Sequence, residues 1–146
     1  MRTLILFASK SGATRECAEL LAARIANSTV FDLSKKEPDL HDADTVIIGS
    51  GIRMGRMYKA VRVFIERNLE KLLTMRTAVY FCNGEPDAFD RAVEKNIPAQ
   101  LVTSSLCVLS FGGKPPFSSS KTKEWILMEN VNELIDTVVE KYAASH

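Results

Sequence analysis

Short unbroken apolar runs, rich in β-branched and aromatic residues, alternate along this chain with stretches of helical period, and few folds accept that alternation. The runs are Thr3–Phe7, Thr45–Ile48, Ala78–Phe81 and Leu106–Phe111, with a weaker one at Thr29–Leu33. Between them, Thr14 to Ala26 puts Cys17, Ala18, Leu21 and Ile25 on one helical face. Tyr58 to Leu73 does the same with Val61, Phe64, Ile65, Leu69 and Leu72, and Glu124 to Tyr142 with Met128, Val131, Ile135, Val138 and Tyr142. A further helix is predicted over Pro86 to Asn96, with proline in its first turn, Asp87 and Asp90 near its positive end, and Pro98 stopping it. The order is then β-α-β-β-α-β-α-β-α, with Asp39 to Asp44 as a polar linker. Strands that are apolar on both faces belong in a parallel sheet covered by helices on both sides. In such sheets, ligands bind outside the carboxyl ends of the strands.

Composition narrows the functional classes. At 146 residues, 46% apolar and 25% charged, a single α/β domain with one real core is expected. Nineteen cations against 18 carboxylates leave a net charge of +1, which gives no general electrostatic case for a nucleic-acid partner. No apolar run approaches the ~20 residues of a transmembrane segment. The opening Met1 to Phe7 is too short for a secretory signal and reads as a first strand. Cys17, Cys82 and Cys107 are odd in number, far apart and without a CxxC pair, so neither a metal site nor a disulfide framework is expected. A reducing, cytoplasmic location fits that usage.

The most informative motif is Ser9-Lys10-Ser11-Gly12-Ala13-Thr14, between the first strand and the first helix. Small hydroxyl residues and a glycine let backbone N–H groups converge, and the helix dipole behind them favours an anion. Ser9, Ser11 and Thr14 carry hydroxyls that suit phosphate oxygens. Gly-Lys-Ser/Thr is absent, so this is no Walker loop, and one glycine does not make a dinucleotide GxGxxG. The alternative is a plain hydroxyl-capped turn.

Two later strand ends carry comparable signals. Gly49-Ser50-Gly51-Ile52-Arg53-Met54-Gly55-Arg56-Met57-Tyr58 is expected as a glycine-rich loop able to approach a flat ligand, with Met54 suited to a ring face and Met57 to either a ring face or the core. Cys82-Asn83-Gly84-Glu85 follows the Ala78–Phe81 strand and has no Tyr or Trp; Phe81 is expected to point into the sheet. Cys82 reads as a small buried apolar group. Phe111-Gly112-Gly113 lines a pocket or simply ends the last strand.

The run Leu4 to Thr14 resembles the opening of the flavodoxin family, whose pattern there is roughly [ST]-x-[ST]-G-x-T. The resemblance extends over essentially the whole chain. It implies a three-layer sandwich with a five-stranded parallel sheet of order 2-1-3-4-5, and FMN as cofactor. By it, Ser9, Lys10, Ser11, Gly12, Ala13 and Thr14 wrap the phosphate, while Ser50, Gly51, Ile52, Arg53, Met54, Gly55, Cys82, Asn83 and Gly84 frame the ring. Met54-Gly55 resembles the pair whose peptide meets the reduced ring nitrogen in short-chain members. Ile48 to Gly55, Thr3 to Phe7 and Thr14-Arg15-Glu16 are also similar to the menaquinone-dependent protoporphyrinogen dehydrogenases of the same fold. Those enzymes carry a long insertion before the last helix, where this chain has only Lys114 to Lys123.

Arg53, Arg56, Lys59 and Arg62 fall within ten residues without an intervening carboxylate. Flavodoxins are usually acidic there, and cations should raise the potential of a bound ring by Coulomb attraction to its anionic reduced form. They also suit a redox partner protein, or a small anionic or quinone substrate, near Arg53 and Arg56. The sequence therefore leaves open an electron carrier, an FMN-dependent protoporphyrinogen dehydrogenase passing electrons to a quinone, and a non-redox interaction module on the same scaffold. The first strand lacks the acidic cluster that a phosphoacceptor receiver domain would require.

Overall fold

A computed structural model describes residues 1–9, 12–83, 86–113 and 125–145. The elements are β1 (Thr3–Ala8), α1 (Ala13–Arg24), β2 (Ser28–Asp32), β3 (Thr45–Arg53), β4 (Arg56–Met57), α2 (Lys59–Leu73), β5 (Arg76–Cys82), a single 3-10 turn (Pro86–Ala88), α3 (Phe89–Asn96), α4 (Ala99–Ser104), β6 (Cys107–Ser110) and α5 (Met128–Ser145). Five strands pair in parallel in the spatial order β2-β1-β3-β5-β6, and β4 turns back antiparallel on the end of β3. Numbering only the parallel strands, this is the expected 2-1-3-4-5.

Every residue of β1, and β3 from Thr45 to Gly51, is buried, because helices cover both sheet faces. Ile5, Phe7, Ile47, Ala78 and Tyr80 face α1 and α5; Leu4, Leu6, Val46, Ile48, Val79 and Phe81 face α2, α3 and α4. Phe81 thus points into the sheet's own core, as expected. On α2 the helical period buries Val61, Phe64, Ile65 and Leu72, each worth ~1.5–3 kcal/mol relative to exposure.

Four sequence expectations need adjustment. Helix α1 ends at Arg24, two residues early, because the Ser28 hydroxyl donates to the Ile25 carbonyl at 2.7 Å and Asn27 turns to φ 56°. A short helix, α4, starts immediately after Pro98, whose lack of an N–H costs nothing ahead of a first turn. The last helix starts at Met128, not Glu124, because the Leu127 N–H is taken by the Phe111 carbonyl at 2.9 Å, which holds that segment beside β6; Trp125 packs half-buried ahead of the helix.

The fourth adjustment bears on the site. Gly49, Ser50 and Gly51 are strand, paired with Tyr80, Phe81 and Cys82 of β5. Their glycines serve ring packing: a Cβ on Gly49 would lie 2.0 Å from Cζ of Tyr80, and one on Gly51 would lie 2.8 Å from the Tyr58 hydroxyl. The expected ten-residue loop, Gly49 to Tyr58, contracts to the two-residue turn Met54-Gly55 between β3 and β4.

Candidate functional site

The carboxyl ends of β1, β3 and β5 lie side by side, and the chain leaves β1 for α1 on one face but β3 for α2 on the other. That divergence opens a crevice at the switch in strand order. Gly12 caps α1 in the left-handed region, φ 90° and ψ −10°, and a Cβ there would meet nothing within 4 Å. The Gly12 N–H donates to the Ser9 hydroxyl oxygen at 2.9 Å, so the Ser9 proton can still be donated outward. Lys10 and Ser11 lie outside the described residues. Ala13 and Thr14 form the buried first turn of α1. Tyr80 fixes this turn from below by donating its hydroxyl to the Thr14 carbonyl at 3.0 Å.

Of the residues expected from β3, Ser50 is buried and its hydroxyl is used internally, donating to the Gly51 carbonyl at 2.8 Å and accepting the Tyr58 N–H at 3.2 Å. Ile52 is half-buried, and Arg53, Met54 and Gly55 are exposed. Met54 and Gly55 have φ 53° and 79°, the positive pair of a type I′ hairpin turn, with Met54 91% exposed at the tip. Met57 turns into the core, 2% exposed, which removes it as a ring contact.

Asn96 of α3 braces this turn. Its side chain accepts the Met57 N–H at 3.0 Å and donates to the Gly55 carbonyl and the Ala92 carbonyl, both at 2.8 Å. Arg62 donates to the Met57 carbonyl at 3.2 Å and so leaves the expected basic group for a structural role. Lys95 replaces it, with Nζ 3.6 Å from where a Gly55 Cβ would stand. None of the ion pairs among the described residues uses Arg53, Arg56, Lys59 or Lys95.

At the end of β5, Cys82 turns away from the crevice toward α1, its sulfur 3.7 Å from that of Cys17. The Cys17 sulfur first, and burial second, push the Cys82 thiol pKa up, partly offset by a hydrogen bond with the Thr14 hydroxyl. Asn83 is buried; its side-chain oxygen accepts the Ser110 hydroxyl at 2.9 Å, and Asn130 of α5 donates to the Ser110 carbonyl at 2.7 Å. Gly84 lies outside the described residues. The supporting residues Tyr80, Asn96, Ser110 and Asn130 carried no sequence signal, because each acts on a partner distant in the chain. Among the described residues, no group of three or more His, Cys, Asp or Glu could hold a metal ion, and no helix is long and apolar enough to cross a membrane.

Comparison with known proteins agrees with this geometry. The chain is 34% identical over 88 residues to protoporphyrinogen IX dehydrogenase [quinone] of Escherichia coli strain K12, covering 57% of this chain and 49% of that protein. The chain thus spans about half the length of the curated relatives it matches. A flavoprotein from Lactobacillus acidophilus, solved in complex with FMN, superposes with a TM-score of 0.59 at 17% identity, over 75% of this chain and 92% of that one. A Streptococcus pneumoniae flavodoxin superposes with a TM-score of 0.63 at 18% identity, over 97% and 99%. The family model described as a flavodoxin domain matches residues 4–133. With its strand order and its glycine-capped first helix, the chain belongs to the flavodoxin family.

Proposed function

We propose that this chain holds FMN noncovalently at the carboxyl edge of its sheet and serves as an electron-transfer protein. The observation that carries this reading is Gly12, left-handed and open at the N-terminus of the twelve-residue α1, with the Ser9 hydroxyl anchored beside it. An anion there gains N–H donors and the positive helix end, without a metal. The residues present fit a phosphate monoester: space where a side chain would stand, and a hydroxyl proton available to donate. Ser9, Lys10, Ser11, Gly12, Ala13 and Thr14 would hold that phosphate. Backbone from Ser50 to Gly55 and from Cys82 to Gly84 would frame the ring. FMN supplies the electron chemistry when bound; the protein binds, orients and tunes it.

Arg53, Arg56 and Lys95, around the exposed Met54, would meet a redox partner protein or a small anionic or quinone substrate. We take residues 1–146 as one domain working in the cytoplasm. Titrating the flavin-free protein with FMN should give one-to-one binding with quenched flavin fluorescence. Protein that takes up no flavin would sink the reading.

The 34% identity to a quinone-dependent protoporphyrinogen dehydrogenase, together with the basic turn, supports a second reading in which a porphyrinogen is oxidised and a quinone reduced. Flavin-loaded protein supplied with protoporphyrinogen and a menaquinone analogue should then turn over. Flavin binding without turnover favours the carrier.

A further inference from the structure

Cysteine usage in the sequence gives no reason to pair any two thiols, yet the fold brings Cys17 of α1 and Cys82 of β5 into contact. They are 65 positions apart, and their sulfurs are 3.7 Å apart in the buried layer beneath the crevice. We infer that Cys17 and Cys82 are a site of oxidative modification, at which a small peroxide converts the contacting thiols into an intramolecular disulfide. Closing the contact to the ~2.05 Å of an S–S bond requires an approach of about 1.7 Å between sulfurs that already touch.

The chemistry balances with hydrogen peroxide as oxidant. Cys82, a residue 6% exposed where Cys17 is fully enclosed, supplies the sulfur that attacks one peroxide oxygen. The O–O bond breaks, one water leaves and a sulfenic acid remains. The Cys17 sulfur then attacks that sulfenic sulfur. The S–O bond breaks, a second water leaves, and the two thiols have lost two electrons and two protons in total.

Burial sets the selectivity. A thiol held above its ordinary pKa carries little thiolate, so the reaction is slow, and a bulky disulfide such as oxidised glutathione cannot reach either sulfur. The Cys82 residue also hydrogen-bonds with the Thr14 hydroxyl, so the pair sits between the strand end at Asn83 and the first turn of α1. The bond would tie those two elements together and close a 65-residue loop in the unfolded chain, which raises the unfolding temperature. Cys107, half-buried on β6, is the internal control.

The inference does not depend on FMN binding, and the test uses the purified full chain. Protein treated with hydrogen peroxide, then denatured and alkylated with N-ethylmaleimide, should carry one label, on Cys107, in place of three. Digestion should yield a Cys17–Cys82 cross-linked peptide that dithiothreitol dissolves, and the treated protein should unfold at a higher temperature. Oxidised glutathione applied to the native fold should leave Cys17 and Cys82 both labelled. Cys17→Ala should remove both the cross-link and the thermal gain; should that variant fail to fold, Cys82→Ala makes the same comparison, and Cys107→Ser should retain both. Three labelled thiols after peroxide, a cross-link through Cys107, or a sulfinic acid at Cys82 with Cys17 still free would each overturn the inference.

Discussion

The hydroxyl of Tyr80 donates to the carbonyl of Thr14 at 3.0 Å, fully buried and across 66 positions of sequence. The same ring stacks on Phe111 with centroids 4.5 Å apart and lies where a Gly49 side chain would be. One residue thus fixes the first turn of α1, the middle of β3 and the end of β6 relative to one another. Burial pushes the Tyr80 pKa well up, so the phenol stays a donor across the accessible pH range.

Tyr80→Phe should keep the stacking and lose only the donor. The Thr14 carbonyl keeps its helical partner within α1, so the loss is that of one buried hydrogen bond, about 0.5–1.5 kcal/mol. Because that carbonyl belongs to the proposed phosphate turn, FMN affinity should fall several-fold along with thermal stability. An unchanged dissociation constant in flavin titration would remove Tyr80 as a support of the turn.

Glycines 49 and 12 should respond differently to alanine. Gly49→Ala places a Cβ 2.0 Å from the Tyr80 ring and should cost several kcal/mol or prevent folding. Gly12→Ala meets open space but keeps φ 90°, a strain of roughly 1–2 kcal/mol. The second variant should fold, with the larger share of its loss in FMN binding. Equal stability losses in the two, by chemical denaturation, would contradict this assignment.

Asn96→Ala removes the brace on the Met54-Gly55 turn. The expected cost is roughly 1–2 kcal/mol, with faster hydrogen exchange at the Met57 amide, whose N–H donates to the Asn96 oxygen at 3.0 Å. Exchange at Met57 equal to that of the unaltered protein would show that strand pairing alone holds the turn.

Acid should weaken the β2 end through Asp32. Burial alone would raise its pKa, but the Ser34 hydroxyl and N–H, with the Arg15 and Lys35 cations, more than offset that and bring it below 3.8. A depressed folded-state pKa contributes stability that is present above the unfolded value and lost as pH falls through the folded one. Asp32→Asn should therefore lower stability by roughly 1 kcal/mol at neutral pH, a modest figure because Arg15 is half exposed. It should also flatten the acid limb of the stability curve below pH 3.8. Parallel acid limbs for the two proteins would assign that loss to other carboxylates.

Arg53→Glu with Arg56→Glu should lower the reduction potential of bound FMN, because carboxylates oppose an anionic reduced ring where cations favour it. A spectroelectrochemical titration reads this directly, and an unmoved midpoint would place the ring beyond their reach.

Several features follow from local rules. Unbroken apolar runs at Thr3–Phe7 and Ala78–Phe81 can only be satisfied by burial on both sides, which dictated parallel strands with helices above and below. Ser9 to Thr14, between such a strand and a helix, marked the proposed anion turn, because backbone N–H groups and a helix end act locally. Distance in sequence hid the rest. Gly49 and Gly51 carry the pattern of a flexible loop, and only Tyr80 and Tyr58, arriving from other elements, show that the glycines make room for rings inside a strand. Asn96 and Lys95 reach the turn only because α3 packs beside it. Cys17 and Cys82 look unrelated until α1 lies over β5. Period and turn chemistry are written in neighbouring residues and so determined the fold class and the place of the candidate site. Its bracing, the reach of its charges and its sulfur contact arise between residues that meet only after the sheet has formed, so the tertiary structure alone decided them.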